Sequence, residues 1–478
     1  MAGIPHIPAL RLGERYESLD QAAIKSVRSH ETIAEVSQVN AGIVRRDILF
    51  RINASQEALR SFTCAELIGM TQEAGRHFME SELDLDGAGL TQTPEQYEQQ
   101  LSATSGLPNT LIRRNMAKIH EVFVEMDTIL RGLTRGLDLS VIDQGRGEQA
   151  GLPVSYFPTT RCLGVVLPSN SPGVNSLWMP AIPLKIPVVL KPGREEPWTP
   201  LRCIGAFVAA GVPREAFGFY PTDHEGSSTV LASSGRSLIF GGQETVERYA
   251  GDPSVEVHGP GWSKVLIGED QVDRWPELID LLATSIAANS GRSCINASAV
   301  LTPRHGRAIA EALAEKLAAI RPLPHDDPNA ALSGFANPKM AEWMDRQIDQ
   351  GLKTRGAEDL TAAVRKAPRK IEFEGSTYLH PTVIHCDSFD HPLANKEFMF
   401  PYASVTEVPQ NKMLEVMGPS LVVSAVTKDP AFTAELMRSP LIQRLNLGDL
   451  PTSHVHWDQP HEGNLFEFLY HRRAIQVA

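Results

Sequence analysis

Cys294 lies in NSGRSCINAS, residues 289–298. A helix-like run, DRWPELIDLLATSIAA, leads into this polar break, and a strand-like run, ASAVLT, leads out. A lone cysteine is most simply a small buried hydrophobe. A polar, Gly-containing break instead keeps a thiol at a surface or cleft, where neighbouring dipoles favour the nucleophilic thiolate. Cys64, Cys203 and Cys386 fall within apolar periodic runs, and Cys162 opens a strand, so these four read as structural. The absence of any CxxC pair argues against a disulfide framework or a structural zinc site.

Other residues could act beside a thiolate. In PSNSP, residues 168–172, two prolines stiffen a short loop and fix the direction of Asn170. An amide held this way can donate to a developing oxyanion; taken alone, it reads first as a loop asparagine capping the helix that begins near Val174. In VLKPGREEP, Lys191 directly follows a buried strand, and its ammonium is either solvated or set to meet a ribose or phosphate. Arg194 would suit a 2′-phosphate, and Glu195 or Glu196 a free ribose diol. In SVEVHGPGWSK, Glu256 and His258 fall on one side of a strand. Either could activate water near a thiol, or both could be a solvated strand-end pair. Glu397 in NKEFMFP reads as a surface acid beside core packing, and His454, His456 and His461 in HVHWDQPH lack the partners of a recognisable metal site. No GxGxxG occurs.

The elements that must position these residues are of two kinds. The first third reads mainly helical, with apolar spacings of three and four in NAGIVRRDILFRINASQEAL and RRNMAKIHEVFVEMDTILRGL. Residues 136–157 contain two β-prone runs around a Gly-rich turn, which predicts a hairpin. From Cys162 onward, LGVVLP, IPVVLKP, AFGFYP, SLIFGG and SVEVHG are strand-like and alternate with helical stretches, among them a proline-damaged helix over NSLWMPAIPLK. That alternation predicts a parallel sheet covered on both faces, with ligands beyond the carboxyl ends of its strands. A second α/β region follows Cys294, and the tail NLFEFLYHRRAIQV predicts an edge strand that something must cover.

The 478 residues suit about three domains. A formal charge of −12 with no basic cluster disfavours nucleic acid as a partner. LWMPAIPLKIPVVLK is broken by three prolines and a lysine, too poor for a membrane span, and MAGIPHIPALRLGERYESLD lacks the uninterrupted apolar core of a signal peptide. The expectation is a soluble protein of a reducing, cytoplasmic compartment.

Taken in order, these features resemble the aldehyde dehydrogenase superfamily. Its P-x-N-x-P loop is matched by Pro168, Asn170 and Pro172, its Lys-Pro strand end by Lys191 and Pro192, and its F-x-G by Phe240 and Gly242. Its strand glutamate before a glycine pair is approximated by Glu256 and Gly259, its G-x-x-C by Gly291 and Cys294, and its E-x-F-x-P by Glu397, Met399 and Pro401. There are departures. Arg194 stands where the family has Glu, which leaves NAD or NADP open. Gln243 replaces a Ser, and Met399 replaces an aromatic. FGGQETV and HGPGWSK also look like the acyl-CoA reductase branch, in which coenzyme A takes the acyl group.

The resemblance implies an α/β, aldehyde dehydrogenase-like fold. A Rossmann-type dinucleotide-binding domain would span 1–135 and 158–268, a catalytic domain 269–451, and a β oligomerisation arm 136–157 with 464–478, giving a homodimer or homotetramer. It implies that Cys294 attacks an aldehyde, that Asn170 and the Cys294 backbone N–H stabilise the oxyanion, and that Glu256 activates the water releasing a carboxylic acid. Lys191 and Glu397 would hold the riboses of NAD or NADP, with Pro168, Arg194, Gly242, Gln243 and Met399 as further cofactor positions. A close rival keeps the thioester but passes the acyl group to coenzyme A. A third reading, an inactive homologue serving as a binding subunit, sits poorly with the joint retention of Cys294, Asn170 and Glu256. The aldehyde pocket would draw on residues 175–179 and 454–461, where Trp178, Met179 and Trp457 hint at an apolar guest or at packing.

Overall fold

A computed structural model describes residues 4–476. The outermost residues of the expected first domain and arm, 1–3 and 477–478, lie outside that range. The chain divides into two compact units: the first takes the chain up to Thr104, Ile112–Gly259 and the segment from Trp457 onward, and the second takes Ser105–Leu111 and Pro260–His456.

The first unit is built on a seven-stranded sheet in the order Val255–His258, Gly235–Phe240, Cys162–Val166, Val188–Lys191, Phe217–Phe219, Ala9–Arg11, Glu14–Tyr16. The first five strands are mutually parallel, and the N-terminal hairpin adds antiparallel at one edge. Near-continuous apolar runs such as CLGVV suit strands buried on both faces. Because these strands are parallel, Pro168, Lys191, Gly241 and His258 all emerge at one edge of the sheet, its carboxyl edge. The registers place Val166 opposite Lys191, Leu238 opposite Glu256, and Phe240 opposite His258.

The second unit repeats the principle with the order Ala357–Asp359, Thr382–Cys386, Tyr402–Glu407, Ala299–Thr302, Lys264–Ile267, Ser420–Val426, Ile442–Leu447, parallel except at the first strand. Alternate side chains part to two cores. Leu266, Leu301, Val423 and Ala425 pack with Met344 and Phe432 on one face. Val265, Ile267, Val300 and Val426 pack with Leu282 and Leu313 on the other. This sheet claims Lys264–Ile267, which the sequence reading placed in the first domain; the strand hydrogen-bonds between Ala299–Thr302 and Ser420–Val426.

Other departures have local causes. Five short strands between His6 and Ser37 precede the first helix, Ala41–Phe50, so the first third is not mainly helical from its start. Runs such as TIAEVS are too short to announce themselves by period. The stretch NSLWMPAIPLK forms two 3₁₀ turns, Pro172–Leu177 and Met179–Ala181, because its prolines remove helix donors. The hairpin Arg146–Gln149/Leu152–Pro158 is present, preceded by the short helix Ser140–Gln144. The tail is a helical turn, Leu465–Leu469, followed by the strand Tyr470–Arg473, which pairs with Leu152–Pro158 and is itself an edge strand of that three-stranded sheet. Among the described residues no helix is long and apolar enough to cross a membrane.

Candidate active site

In the second unit, the helix Trp275–Ala287 ends in a kinked turn before the strand Ala299–Thr302. Asn289 and Ser290 both take left-handed backbone angles, φ +50° and +59°, an unfavourable state for residues with side chains. A polar net holds them. Asn289 donates to Ser293 Oγ at 3.1 Å, the Ser333 N–H donates to Ser290 Oγ at 2.9 Å, and Asn296 donates to the Ala288 carbonyl at 2.9 Å and accepts from the Ser293 N–H at 2.9 Å. The Arg292 guanidinium is buried and donates to the carbonyls of Ser105 and Gly334. The polar residues around Cys294 thus build a rigid loop, and they leave the thiol partly exposed. The other four cysteines are buried. Burial pushes Cys64, Cys162 and Cys386 up to about 12, where a thiol is inert.

The segment GPGWSK braces the same loop. Ser263 Oγ donates to the Cys294 carbonyl at 2.8 Å. A Cβ on Gly261 would come within 2.0 Å of that carbonyl oxygen, so only glycine permits the approach. Trp262, at φ +42°, donates its N–H to Glu397 Oε2 at 2.6 Å. Lys264, fully buried, donates to the Trp262 carbonyl at 2.6 Å and to Ser420 Oγ at 3.1 Å. Burial pushes its ammonium down to about 7, with Glu397 opposing. Glu397 is therefore half-buried beside a backbone donor and a lysine, and Met399 packs against the core. Lys264 escaped the sequence reading. Its only mark there is a charge opening an otherwise apolar strand, KVLI.

In the first unit, the loops at the carboxyl edge touch. Gly193 lies against the Pro168 carbonyl and the Ser169 hydroxyl, and the Glu195 N–H donates to Ser169 Oγ at 3.3 Å. Asn170 is half-buried in the same loop. Lys191 is half-buried, and burial lowers its ammonium from the usual lysine range against the pull of Glu195. Arg194 is exposed, whereas Glu196 is buried and accepts from the Thr199 N–H and hydroxyl. Gly242 and Gln243 are exposed, and Gln243 donates to Glu247.

Glu256 and His258 are not a solvated pair. His258 is 5% exposed. Its Nδ1 hydrogen-bonds the Glu462 carboxylate, its ring stacks on Phe240 with centroids 4.6 Å apart, and its Nε2 lies 3.9 Å from Glu256 Oε1. Burial pushes the Glu256 carboxyl up to about 7; the His258 charge opposes that rise and Glu462 adds to it. Burial disfavours charge on His258, but the Glu462 carboxylate more than offsets this and holds the ring above the ordinary histidine range. Gly463, at φ +131°, lies against the Glu256 carboxyl, where a Cβ would meet Oε1 at 2.3 Å. Nothing in the sequence connects Glu462 with His258, because the two are 204 residues apart.

The pair lines a small, partly open pocket within this unit. Val122, Ile129, Leu133, Leu177, Leu238 and Trp457 make most of its wall apolar, and His461 adds a polar group. Trp178 and Met179 do not line it. Both are fully buried, and the Trp178 indole donates to Asn175 at 3.0 Å, so these two are core packing. His454 and His456 are exposed and meet edge to face.

Each unit is thus an α/β fold built on a mainly parallel sheet. The aldehyde dehydrogenase family model matches residues 89–416, more than half of the chain, and the protein belongs to that family. Comparison with curated proteins gives no match. Solved structures agree in fold. An indole-3-acetaldehyde dehydrogenase in complex with NAD+ is 16% identical, with 98% of this chain and 95% of that one covered and a TM-score of 0.79. An Escherichia coli NADP-dependent enzyme is 15% identical over 99% of each chain, with a TM-score of 0.78. Aldehyde dehydrogenase 21 from Physcomitrella patens, in complex with the reaction product succinate, is 16% identical over 99% and 98%, with a TM-score of 0.76.

Proposed function

We propose that this protein oxidises an apolar aldehyde to its carboxylic acid with NAD or NADP, through a thioester on Cys294. The observation that carries this reading is the Glu256 carboxyl, pushed up to about 7 at the foot of an apolar cavity. A buried carboxyl that titrates near neutrality suits a base that takes a proton from water.

The residues fit a dinucleotide. Among the described residues the Lys191 side chain makes no hydrogen bond or ion pair, so its half-buried ammonium is available to ribose hydroxyls at the carboxyl edge where such ligands bind. Pro168 follows the neighbouring strand, Gly242 and Gln243 follow the strand beyond it at the same edge, and Glu397 and Met399 are assigned to the second ribose and its surroundings. Glu196 is turned inward, which leaves Arg194 and Glu195 to choose between a 2′-phosphate and a free diol. When bound, the nicotinamide supplies the hydride acceptor.

The chain supplies the rest. The Cys294 thiolate forms the bond to the aldehyde carbon, and its loop, already locked by hydrogen bonds, needs no reordering. Asn170 and the Cys294 N–H are assigned to the oxygen that gains negative charge. Glu256 takes a proton from water, whose oxygen bonds the acyl carbon and releases the Cys294 sulfur. The apolar wall suits an uncharged carbon chain or ring. We assign the first unit to the cofactor, the second to the nucleophile, and the hairpin with the tail strand to subunit pairing, which the exposure of Leu152 supports.

Transfer to coenzyme A was suggested by the GG and GPG segments. Three of these four glycines have another reason to be there: Gly261 clears the Cys294 carbonyl, and Gly241 and Gly259 clear Thr245 and Val246, whereas Gly242 meets nothing. Water is therefore the favoured acceptor. The test is NAD(P)H formation over a panel of aldehydes, with and without added coenzyme A. Turnover of medium-sized apolar aldehydes without coenzyme A is expected, and strict dependence on it would overturn the reading.

A further inference from the structure

We propose that His258 is a positioning residue for Glu256, and that Glu462 holds it in that role. The proposal rests on Glu256 being the base that activates water. Two contacts and the strand fix the ring. The Glu462 carboxylate binds Nδ1, Phe240 covers one face at 4.6 Å, and the strand Val255–His258 carries Glu256 and His258 to the same side. With Nδ1 committed to Glu462, Nε2 is the remaining nitrogen, and no hydrogen bond among the described residues satisfies it. It faces Glu256 Oε1 at 3.9 Å. A buried imidazole with an unpartnered nitrogen costs stability unless that nitrogen serves something.

The charged groups acting on the ring are Glu462 from the loop that follows Trp457, and Glu256 from its own strand. Phe240 brings no charge, and His461 is the further titratable side chain lining the cavity. Glu462 raises the pH at which the ring loses its proton; a protonated ring presents its Nε2–H toward Glu256, with a positive charge beside the carboxyl. That charge opposes burial and brings the carboxyl into its ionised, proton-accepting form at a lower pH than burial alone allows. Gly463, next to Glu462, leaves the space the carboxyl occupies, so one loop both anchors the histidine and makes room for the base.

The experiment follows acyl release, as carboxylate formation against pH, in the wild-type protein, His258→Gln and Glu256→Gln. Nitrogen-15 spectra of the histidine rings are recorded in the wild-type protein and Glu462→Gln. In His258→Gln the acid limb of the profile is expected to rise by about one pH unit, with the KM for aldehyde within twofold of wild type. In Glu462→Gln, a near-isosteric change, the His258 ring is expected to lose its proton at a lower pH. An unmoved acid limb in folded His258→Gln, or an unmoved ring titration in Glu462→Gln, overturns the proposal. Full acyl release in Glu256→Gln would instead refute the parent reading, so the two failures are told apart.

Discussion

The Ser263 hydroxyl donates to the Cys294 carbonyl across 2.8 Å, and the neighbouring Gly261 has no room for a side chain against the same oxygen. The Cys294 loop, to which the nucleophile is assigned, is thus built against a second loop that is assigned no chemistry of its own. Gly261→Ala must displace one of them. A displacement on the order of 1 Å costs about a hundredfold in rate. We expect kcat to fall by that order in steady-state assays, while the KM for the nicotinamide cofactor changes little. Wild-type kcat in the variant would show that the bracing is irrelevant to the thiol.

Asn170 is assigned to the oxyanion. Removing one donor of this kind costs about 3 kcal/mol of barrier, roughly two orders of magnitude in kcat. Asn170→Ala should show that loss with its thermal unfolding unchanged. A variant retaining more than half of its activity would return Asn170 to a loop-capping role.

Glu256 links activity to stability. An unfolded glutamate ionises near 4.5, whereas the folded carboxyl holds its proton up to about 7. Its favourable contribution is therefore complete below about 4.5 and is lost as pH rises through about 7. Across that range the folded protein loses about 3 kcal/mol relative to the unfolded chain. Glu256→Gln removes the titration, so the variant should melt higher than wild type at pH 8 and lose that advantage by pH 5. Parallel melting curves at both values would contradict the burial of this charge.

Arg194 is exposed beside the Lys191 strand end. If it reads a 2′-phosphate, Arg194→Glu should shift the ratio of kcat/KM from NADP towards NAD by about tenfold or more, the worth of one lost charge pair. An unchanged ratio, measured with both cofactors at equal salt, would place Arg194 away from the ribose.

How far the sequence could be read follows from the range of each interaction. Cys294 was legible because its polar neighbours are adjacent in sequence and serve it locally, as Asn289, Ser293 and Asn296 do. The parallel sheets were legible because burial on both faces writes an apolar run into each strand. The five strands before Ala41 were not, being too short for a period to show. The tail misled because Phe466, Phe468 and Tyr470 alternate across a helical turn that Asn464 caps. Trp178 read equally as pocket lining or packing, and it is core, since only the three-dimensional surroundings decide which way an aromatic faces. Glu462 and Lys264 were invisible as partners because what matters about them is the company they keep far along the chain.

The most direct measurement is a mass spectrum of Glu256→Gln after one turnover with an apolar aldehyde and oxidised cofactor. We expect one acyl group added to the protein, on the peptide that carries Cys294 and removable by hydroxylamine. Stoichiometric reduced cofactor with free carboxylate and no adduct at Cys294 would contradict the thioester, and with it the roles given to both residues.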